Sequence, residues 1–235
     1  SATGQLKDAQ LMLMSEAEAA QLAARLHESP SRVAELEDKP YTTRPYAPFT
    51  TSTLQQEANR KYGFTARRTM EAAQSLYENG HITYMRTDST NLASVAVQAA
   101  RELVATQYGR EYLPAQPRLY QTKVKNAQEA HEAIRPAGHP FDFPEALRRN
   151  LREDEFKLYD LIWKRTIASQ MSDARGRRIT ISVEAGDARF QVSGKTIEFP
   201  GYLRAYVEGA DDPELDLAER ETVLPSVVVG EQLTC

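Results

Sequence analysis

The stretch Gly80-His81-Ile82-Thr83-Tyr84-Met85-Arg86-Thr87-Asp88-Ser89-Thr90 sets a tyrosine, an arginine and an aspartate at every second position. In extended backbone, residues i, i+2 and i+4 project from one face. Tyr84, Arg86 and Asp88 then form a row of nucleophile, cation and carboxylate, a set suited to phosphoryl transfer on a polyanion. A phenol with a pKa of about 10 attacks poorly at neutral pH. A fixed cation such as Arg86 favours the phenolate and stabilises charge developing on phosphate oxygens. Asp88 has two available roles, orienting Arg86 or capping the next helix. A polar strand face would show the same alternation, so the flanking chain has to decide.

Helices are expected on both sides. Upstream, a helix from Leu54 to Tyr62 is closed by Gly63, a residue suited to a left-handed terminator. Thr65 can cap a helix over 66–79, with Met70, Ala73, Leu76 and Tyr77 at helical spacing and Gly80 beyond its end. Downstream, a third helix runs over roughly 93–107, turning Ala96, Ala99, Ala100, Leu103 and Val104 inward, with Asp88, Ser89 and Asn91 as possible caps. Ile82 to Arg86 is read as a short strand between them, which puts Tyr84 at a junction held by rigid elements. Residues 110–127 read as loop, and Ala127 to Ile134 as a short helix stopped by Pro136. Residues 145–171 are strongly helical, with Leu158, Leu161, Ile162 and Ile167 inside and Trp163 partly buried.

The two ends differ from this helical middle. Residues 15–27 form an amphipathic helix with Ser15 and Glu18 at capping-box spacing, and 33–38 is a short strand or loop. From Lys39 to Thr53 the prolines Pro40, Pro45 and Pro48 mark a connection and a domain boundary. Beyond Arg178 the period becomes two: Ile179, Ile181 and Val183 alternate with Thr180 and Ser182. Further strands are read at Arg189–Val192, Thr196–Phe199, Tyr202–Val207 and Val227–Val229, with turns at Ala185-Gly186-Asp187 and Ser193-Gly194 and an acidic loop over 211–222. The fold class is α+β.

Composition narrows the partners. With 41% apolar and 26% charged residues the chain is a globular protein and not a disordered one. Ser1-Ala2-Thr3-Gly4 does not open a signal peptide, no apolar run reaches the ~20 residues of a membrane span, and Cys235 is the single cysteine. A cytoplasmic protein with no internal disulfide and no cysteine-based zinc site is expected. The net charge of −4 hides a segregation. Residues 44–170 carry 18 Lys and Arg against 14 Asp and Glu, whereas residues 181–235 carry 4 against 11. A mildly basic middle can attract phosphates whatever the total charge; an Arg-rich helical surface of no function would count the same.

Two motif matches fail. Gly194-Lys195-Thr196 resembles the end of a phosphate loop, but Arg189 stands where the first glycine belongs. His131-Glu132-Ala133-Ile134-Arg135 nearly spells a zinc-protease helix, but an arginine is not a metal ligand. Read together, His131 and Arg135 at i and i+4 share a helix face, and both can donate to phosphate oxygens; an exposed polar face has the same spacing. No metal-ligand set is recognised in this chain.

The segment Ile82-Thr83-Tyr84-Met85-Arg86-Thr87-Asp88-Ser89-Thr90-Asn91-Leu92 resembles the active-site segment of bacterial type IA DNA topoisomerase I. Pro40-Tyr41-Thr42-Thr43-Arg44-Pro45, Ala47-Pro48-Phe49-Thr50-Thr51-Ser52-Thr53-Leu54-Gln55-Gln56, Ala130-His131-Glu132-Ala133-Ile134-Arg135-Pro136 and Leu158-Tyr159 to Ile162-Trp163 resemble the same family in the same order. The likeness covers residues 40–170 strongly and the flanks more weakly. It implies that Tyr84 attacks a phosphodiester of single-stranded DNA to form a 5′-phosphotyrosine, and that religation needs no ATP. It implies that Arg86 clamps the scissile phosphate and that Asp88, His131 and Arg135 lie at the DNA. It further implies a helical domain over 44–170 inserted in a β-rich arch formed by 1–43 and 171–235. Mg²⁺ would be bound by a Toprim domain that this chain lacks, along with the C-terminal zinc region. The expected partner is single-stranded and negatively supercoiled DNA, with no membrane and a monomeric protein. A central fragment of this kind is expected to be inactive alone. Two other readings stay open: a non-catalytic single-stranded DNA-binding module in which Tyr84 stacks on a base, and a purely structural α+β scaffold.

Overall fold

The computed structural model describes residues 14–120, 132–207 and 217–233. They form helices together with a four-stranded sheet, an α+β fold. Contacts divide them into two units. One holds the described residues of Ser1–Pro40, Arg177–Thr196 and Glu221–Cys235; the other holds those of Tyr41–Gly176 and Ile197–Arg220.

In the first unit, α1 (Glu16–His27) opens on the reciprocal cap its sequence announces: the Glu18 carboxylate accepts the Ser15 N–H at 2.7 Å, and the Ser15 hydroxyl accepts the Glu18 N–H. The strands β1 (Ser31–Thr43), β2 (Ala174–Ala185), β3 (Ala188–Phe199) and β4 (Gln232–Leu233) lie in the order β3-β2-β1-β4. β1 pairs antiparallel with β4 through Ser31–Leu233 and Arg32–Gln232. It is much longer than the 33–38 segment expected, and it runs through Pro40. β4 opposes Ser31 and Arg32, and Val33 exchanges backbone bonds with Glu231 and Gly230; among the described residues no strand pairs with that edge at Pro40, where a proline is tolerated.

Three expectations for this stretch fail. Ser193-Gly194 is no turn: β3 is continuous, and a Cβ on Gly194 would lie 2.3 Å from the Thr222 carbonyl oxygen, beside the Lys195–Thr222 bridge. That glycine serves a close approach of two backbones. Val227–Val229 is not a strand either. Tyr202–Val207, read as a strand, contains the short helix α7 (Leu203–Tyr206) in the second unit, with Ala205 buried inside it and Tyr202 and Val207 buried at its two ends.

The second unit packs α2 (Thr51–Tyr62), α3 (Ala66–Glu78), α4 (Ser94–Gln107), α5 (Pro144–Leu147) and α6 (Glu153–Ser169) around one core. α2 starts at Thr51, earlier than Leu54, because Thr50 and Thr53 cap it reciprocally. Gly63 ends it with φ +66°, as expected of a left-handed terminator. Thr65 caps α3, its hydroxyl accepting the Arg68 N–H. α6 is the central element: Leu158, Leu161, Ile162, Trp163 and Ile167 are all buried, Trp163 completely and not partly. The region read as one helix over 145–171 is two, because the Arg152 N–H is taken by the Glu155 carboxylate at 2.8 Å and a new helix begins there.

Glu155 is buried, and its desolvation is outweighed by hydrogen bonds from the Arg152 side chain, Ser75 and the Arg152 backbone, which hold its pKa down at about 2. A carboxylate lowered in the folded state stabilises fully above its unfolded pKa, here about 4.5, and the contribution is lost as pH falls towards about 2. Glu155→Gln is therefore expected to lower the denaturation midpoint at pH 7 and to flatten its decline between about pH 5 and 2. An acid limb as steep in the variant as in the parent would assign that limb to other carboxylates.

Candidate active site

Tyr84 does not lie on a strand. The segment 80–91 is irregular and makes a single bridge, Ile82 to Pro136. It leaves α3 through a turn in which Gly80 has φ +75°, its N–H donates to Tyr77 O and the His81 N–H donates to Leu76 O. This pattern turns the chain sharply at a helix end and favours glycine there. The alternation nevertheless survives from Tyr84 onward: Tyr84, Arg86 and Asp88 are exposed, while Met85 and Ser89 are buried.

Backbone outside a ladder must find other partners for its polar groups. Here two side-chain straps provide them. On one side, the Thr83 N–H donates to Arg135 O at 2.9 Å, the Thr83 hydroxyl donates to Ala133 O at 2.8 Å, and the Arg135 N–H donates back to that hydroxyl at 3.0 Å. On the other, Thr51 at the start of α2 donates its N–H to Thr87 O at 2.9 Å and its hydroxyl to Met85 O at 2.8 Å. The Thr87 N–H returns to the Thr51 hydroxyl at 2.9 Å. The residues that flank Tyr84 and Arg86 are thus held from both sides, while neither of those two side chains makes a hydrogen bond or ion pair among the described residues.

The first strap is itself anchored. The Ile134 N–H donates to Phe49 O and the Ala133 N–H to Asn91 O. These N–H groups go to distant carbonyls and not to residues four earlier, so Glu132–Ile134 is not the helix expected there; residues 127–131 lie outside the described residues. Phe49 is completely buried, and the Arg165 guanidinium stacks on its ring at 4.2 Å. Glu132 ties both ends of the strap. Its carboxylate accepts the Ala93 N–H at 2.7 Å, and it receives Arg135 as a two-pronged pair at 2.7 and 2.9 Å. Glu132 therefore serves the start of α4, whose N-cap is Ala93. Asp88, Ser89 and Asn91 do not cap it; the Ser89 hydroxyl accepts the Asn91 N–H and shapes the turn before it.

The candidate residues separate accordingly. Tyr84 is 51% exposed and makes an edge-to-face contact with Tyr77, ring centroids 5.3 Å apart. Arg86 and Asp88 are exposed and make no hydrogen bond or ion pair among the described residues. Arg135 stands in the strap beneath Tyr84, but its guanidinium is nearly buried and occupied by Glu132 and Pro136 O. Arg135 is not on a helix, and its expected partner on one, His131, lies outside the described residues. Elsewhere, burial pushes the phenols of Tyr62 and Tyr120 up to about 12 and also drives Tyr159 and Tyr206 upward, so these side chains are held as neutral phenols.

Nothing local in the sequence singles out Thr51, Thr83 or Glu132 as site residues. Local pattern carries no mark of Thr51, which is 34 positions from Met85; the spacing of Glu132 and Arg135 was the one available hint of an ion pair. Among the described residues no group of three or more His, Cys, Asp or Glu is arranged to hold a metal. No described helix is long and apolar enough to cross a membrane.

Comparison with known proteins shows the family. A family model described as DNA topoisomerase matches residues 2–235. DNA topoisomerase 1 of Streptomyces coelicolor is 56% identical over 236 residues, covering 98% of this chain and 25% of that protein. DNA topoisomerase 1 of Synechococcus elongatus is 55% identical over 234 residues, covering 99% and 26%. The structure of full-length topoisomerase I from Thermotoga maritima superposes with a TM-score of 0.75 at 33% identity, over 96% of this chain and 36% of that one. The chain spans about a quarter of the length of these curated relatives. It belongs to the DNA topoisomerase family, among its bacterial topoisomerase I members.

Proposed function

We propose that the intact protein relaxes negatively supercoiled DNA by cutting and resealing one strand, with Tyr84 as nucleophile. The observation that carries this reading is a half-exposed phenol on a doubly strapped segment, two residues from a guanidinium that has no partner among the described residues. In the reaction the Tyr84 Oη–P bond forms as the P–O3′ bond of single-stranded DNA breaks. The phenolic proton is lost, and the departing oxygen takes up a proton to become a free 3′-OH. Reversal restores both bonds, so no ATP is consumed. Arg86 neutralises charge on the non-bridging oxygens of the attacked phosphate, and strand passage occurs while the cut is open. Asp88, Arg135 and His131 lie at the DNA, Arg135 through its backbone and its grip on Glu132 more than through a free guanidinium. A Mg²⁺ requirement would be met outside this chain, whose described residues bring no suitable donor set together. For the same reason this chain alone is expected to cleave poorly.

The test uses the full-length protein and a single-stranded oligonucleotide labelled at either end, quenched with denaturant. The 3′ label is expected to stay with the protein, on a peptide containing Tyr84, and the 5′-labelled piece to be released with a free 3′-OH. Label attached to another residue, or no covalent product, would overturn the assignment.

A further inference from the structure

We infer that Thr51 is a positioning residue for the cleavage reaction; the inference rests on Tyr84 being the nucleophile. Thr51 touches no reacting atom. It is the first residue of α2, a helix whose own start is already capped by Thr50 and Thr53. Its N–H and hydroxyl are therefore available for another use, and both are given to the segment 85–87. The hydroxyl is a hub: it donates to Met85 O and lies 3.1 Å from Thr87 O while accepting the Thr87 N–H. Those three groups bracket Arg86, and Met85 is the residue after Tyr84.

The two straps are not equivalent. The Thr83 strap has two backbone bonds of its own beside the hydroxyl: Thr83 N–H to Arg135 O and Ala137 N–H to His81 O. Between Thr51 and 85–87 a single backbone bond joins the hydroxyl. Met85 O and the Thr87 N–H have no other hydrogen-bond partner among the described residues. Removing the hydroxyl leaves the Arg86 backbone free to rotate between Thr83 and Thr87. Tyr84 and Arg86 act on the same phosphate, so their relative placement, not the presence of either, is what Thr51 sets. Displacements on the order of 1 Å in such a pair cost about a hundredfold in rate.

The test is single-turnover cleavage of an oligonucleotide by the full-length protein at saturating DNA, which separates rate constant from amplitude. Thr51→Val keeps the β-branched shape and loses the hydroxyl; Thr51→Ser keeps the hydroxyl. The expected result is a rate constant lowered by about 10- to 100-fold in Thr51→Val, with full amplitude and DNA affinity within about twofold, and restored to near the parent value in Thr51→Ser. A merely structural threonine would reduce the amplitude, as molecules unfold, and leave the rate constant of the folded fraction unchanged; that result overturns the inference, as does an unchanged rate and amplitude. Should Thr51→Val not fold, Thr51→Ala, with the better helix propensity, is measured against the same criteria. Tyr84→Phe run in parallel separates the two claims. If Tyr84→Phe still forms the adduct, the nucleophile assignment fails. If it does not, and Thr51→Val cleaves at the parent rate, only the positioning role fails.

Discussion

Tyr84→Phe in the full-length protein is expected to abolish the covalent DNA adduct, a loss of at least ~10³-fold in single-turnover cleavage, because no second nucleophile replaces an absent one. The same variant is expected to fold and bind DNA as the parent does. The Tyr84 hydroxyl makes no hydrogen bond among the described residues, and the ring keeps its contact with Tyr77 in the phenylalanine variant. A surface change of this kind moves stability by no more than about 0.5 kcal/mol. This separates the chemical role from a stacking one. An aromatic platform that holds a base through its π-face loses little when tyrosine becomes phenylalanine, so that reading requires near-normal activity. An adduct that persists in Tyr84→Phe would move the nucleophile elsewhere.

Arg86→Ala is expected to slow cleavage at saturating DNA by roughly 10²–10³-fold, the usual cost of removing one preorganised charge-stabilising donor. Its folded structure should be unaffected, since the side chain is exposed and makes no ion pair among the described residues. That freedom is informative in itself. Arg60, Arg68, Arg135 and Arg152 all have carboxylate partners, whereas Arg86, two residues from Tyr84, does not. Arg86→Lys keeps the charge but not the planar fork, so partial recovery is expected, well short of the parent. A loss confined to DNA affinity, with cleavage at saturation unchanged, would make Arg86 a binding residue only. Salt titration of binding supplies the check: loss of one phosphate contact should reduce the slope of log affinity against log salt by somewhat under one unit.

The helices were legible wherever local rules act alone. Thr65 before α3, Gly63 after α2 and the Ser15–Glu18 pair before α1 are marks of helix ends that need no tertiary partner. The apolar spacing along α4 and α6 likewise turned Ala96, Ala99, Leu158 and Ile162 inward. Misreadings fall where a distant backbone intervenes. Gly194 looked like a turn because the Thr222 carbonyl that requires a glycine there is 28 positions away. Glu132–Ile134 looked helical because nothing local shows that its N–H groups go to Asn91 and Phe49.

The row Tyr84, Arg86, Asp88 divides along the same line. Its order and alternation are properties of the sequence, and the exposure of all three side chains matches that alternation although the segment is irregular. What the sequence could not contain is the means of holding that face without a sheet. Thr51 and Thr83 supply hydroxyls from 34 and 50 positions away from the carbonyls they reach. A hydroxyl that bonds a remote backbone leaves no periodic trace, because the pairing exists only once α2 and residues 133–137 have packed on either side. Tertiary structure likewise decided Arg135, whose guanidinium Glu132 takes up at the foot of the strap. Chemical identity was written in the chain; which of its charged groups face outward unpaired was settled by packing.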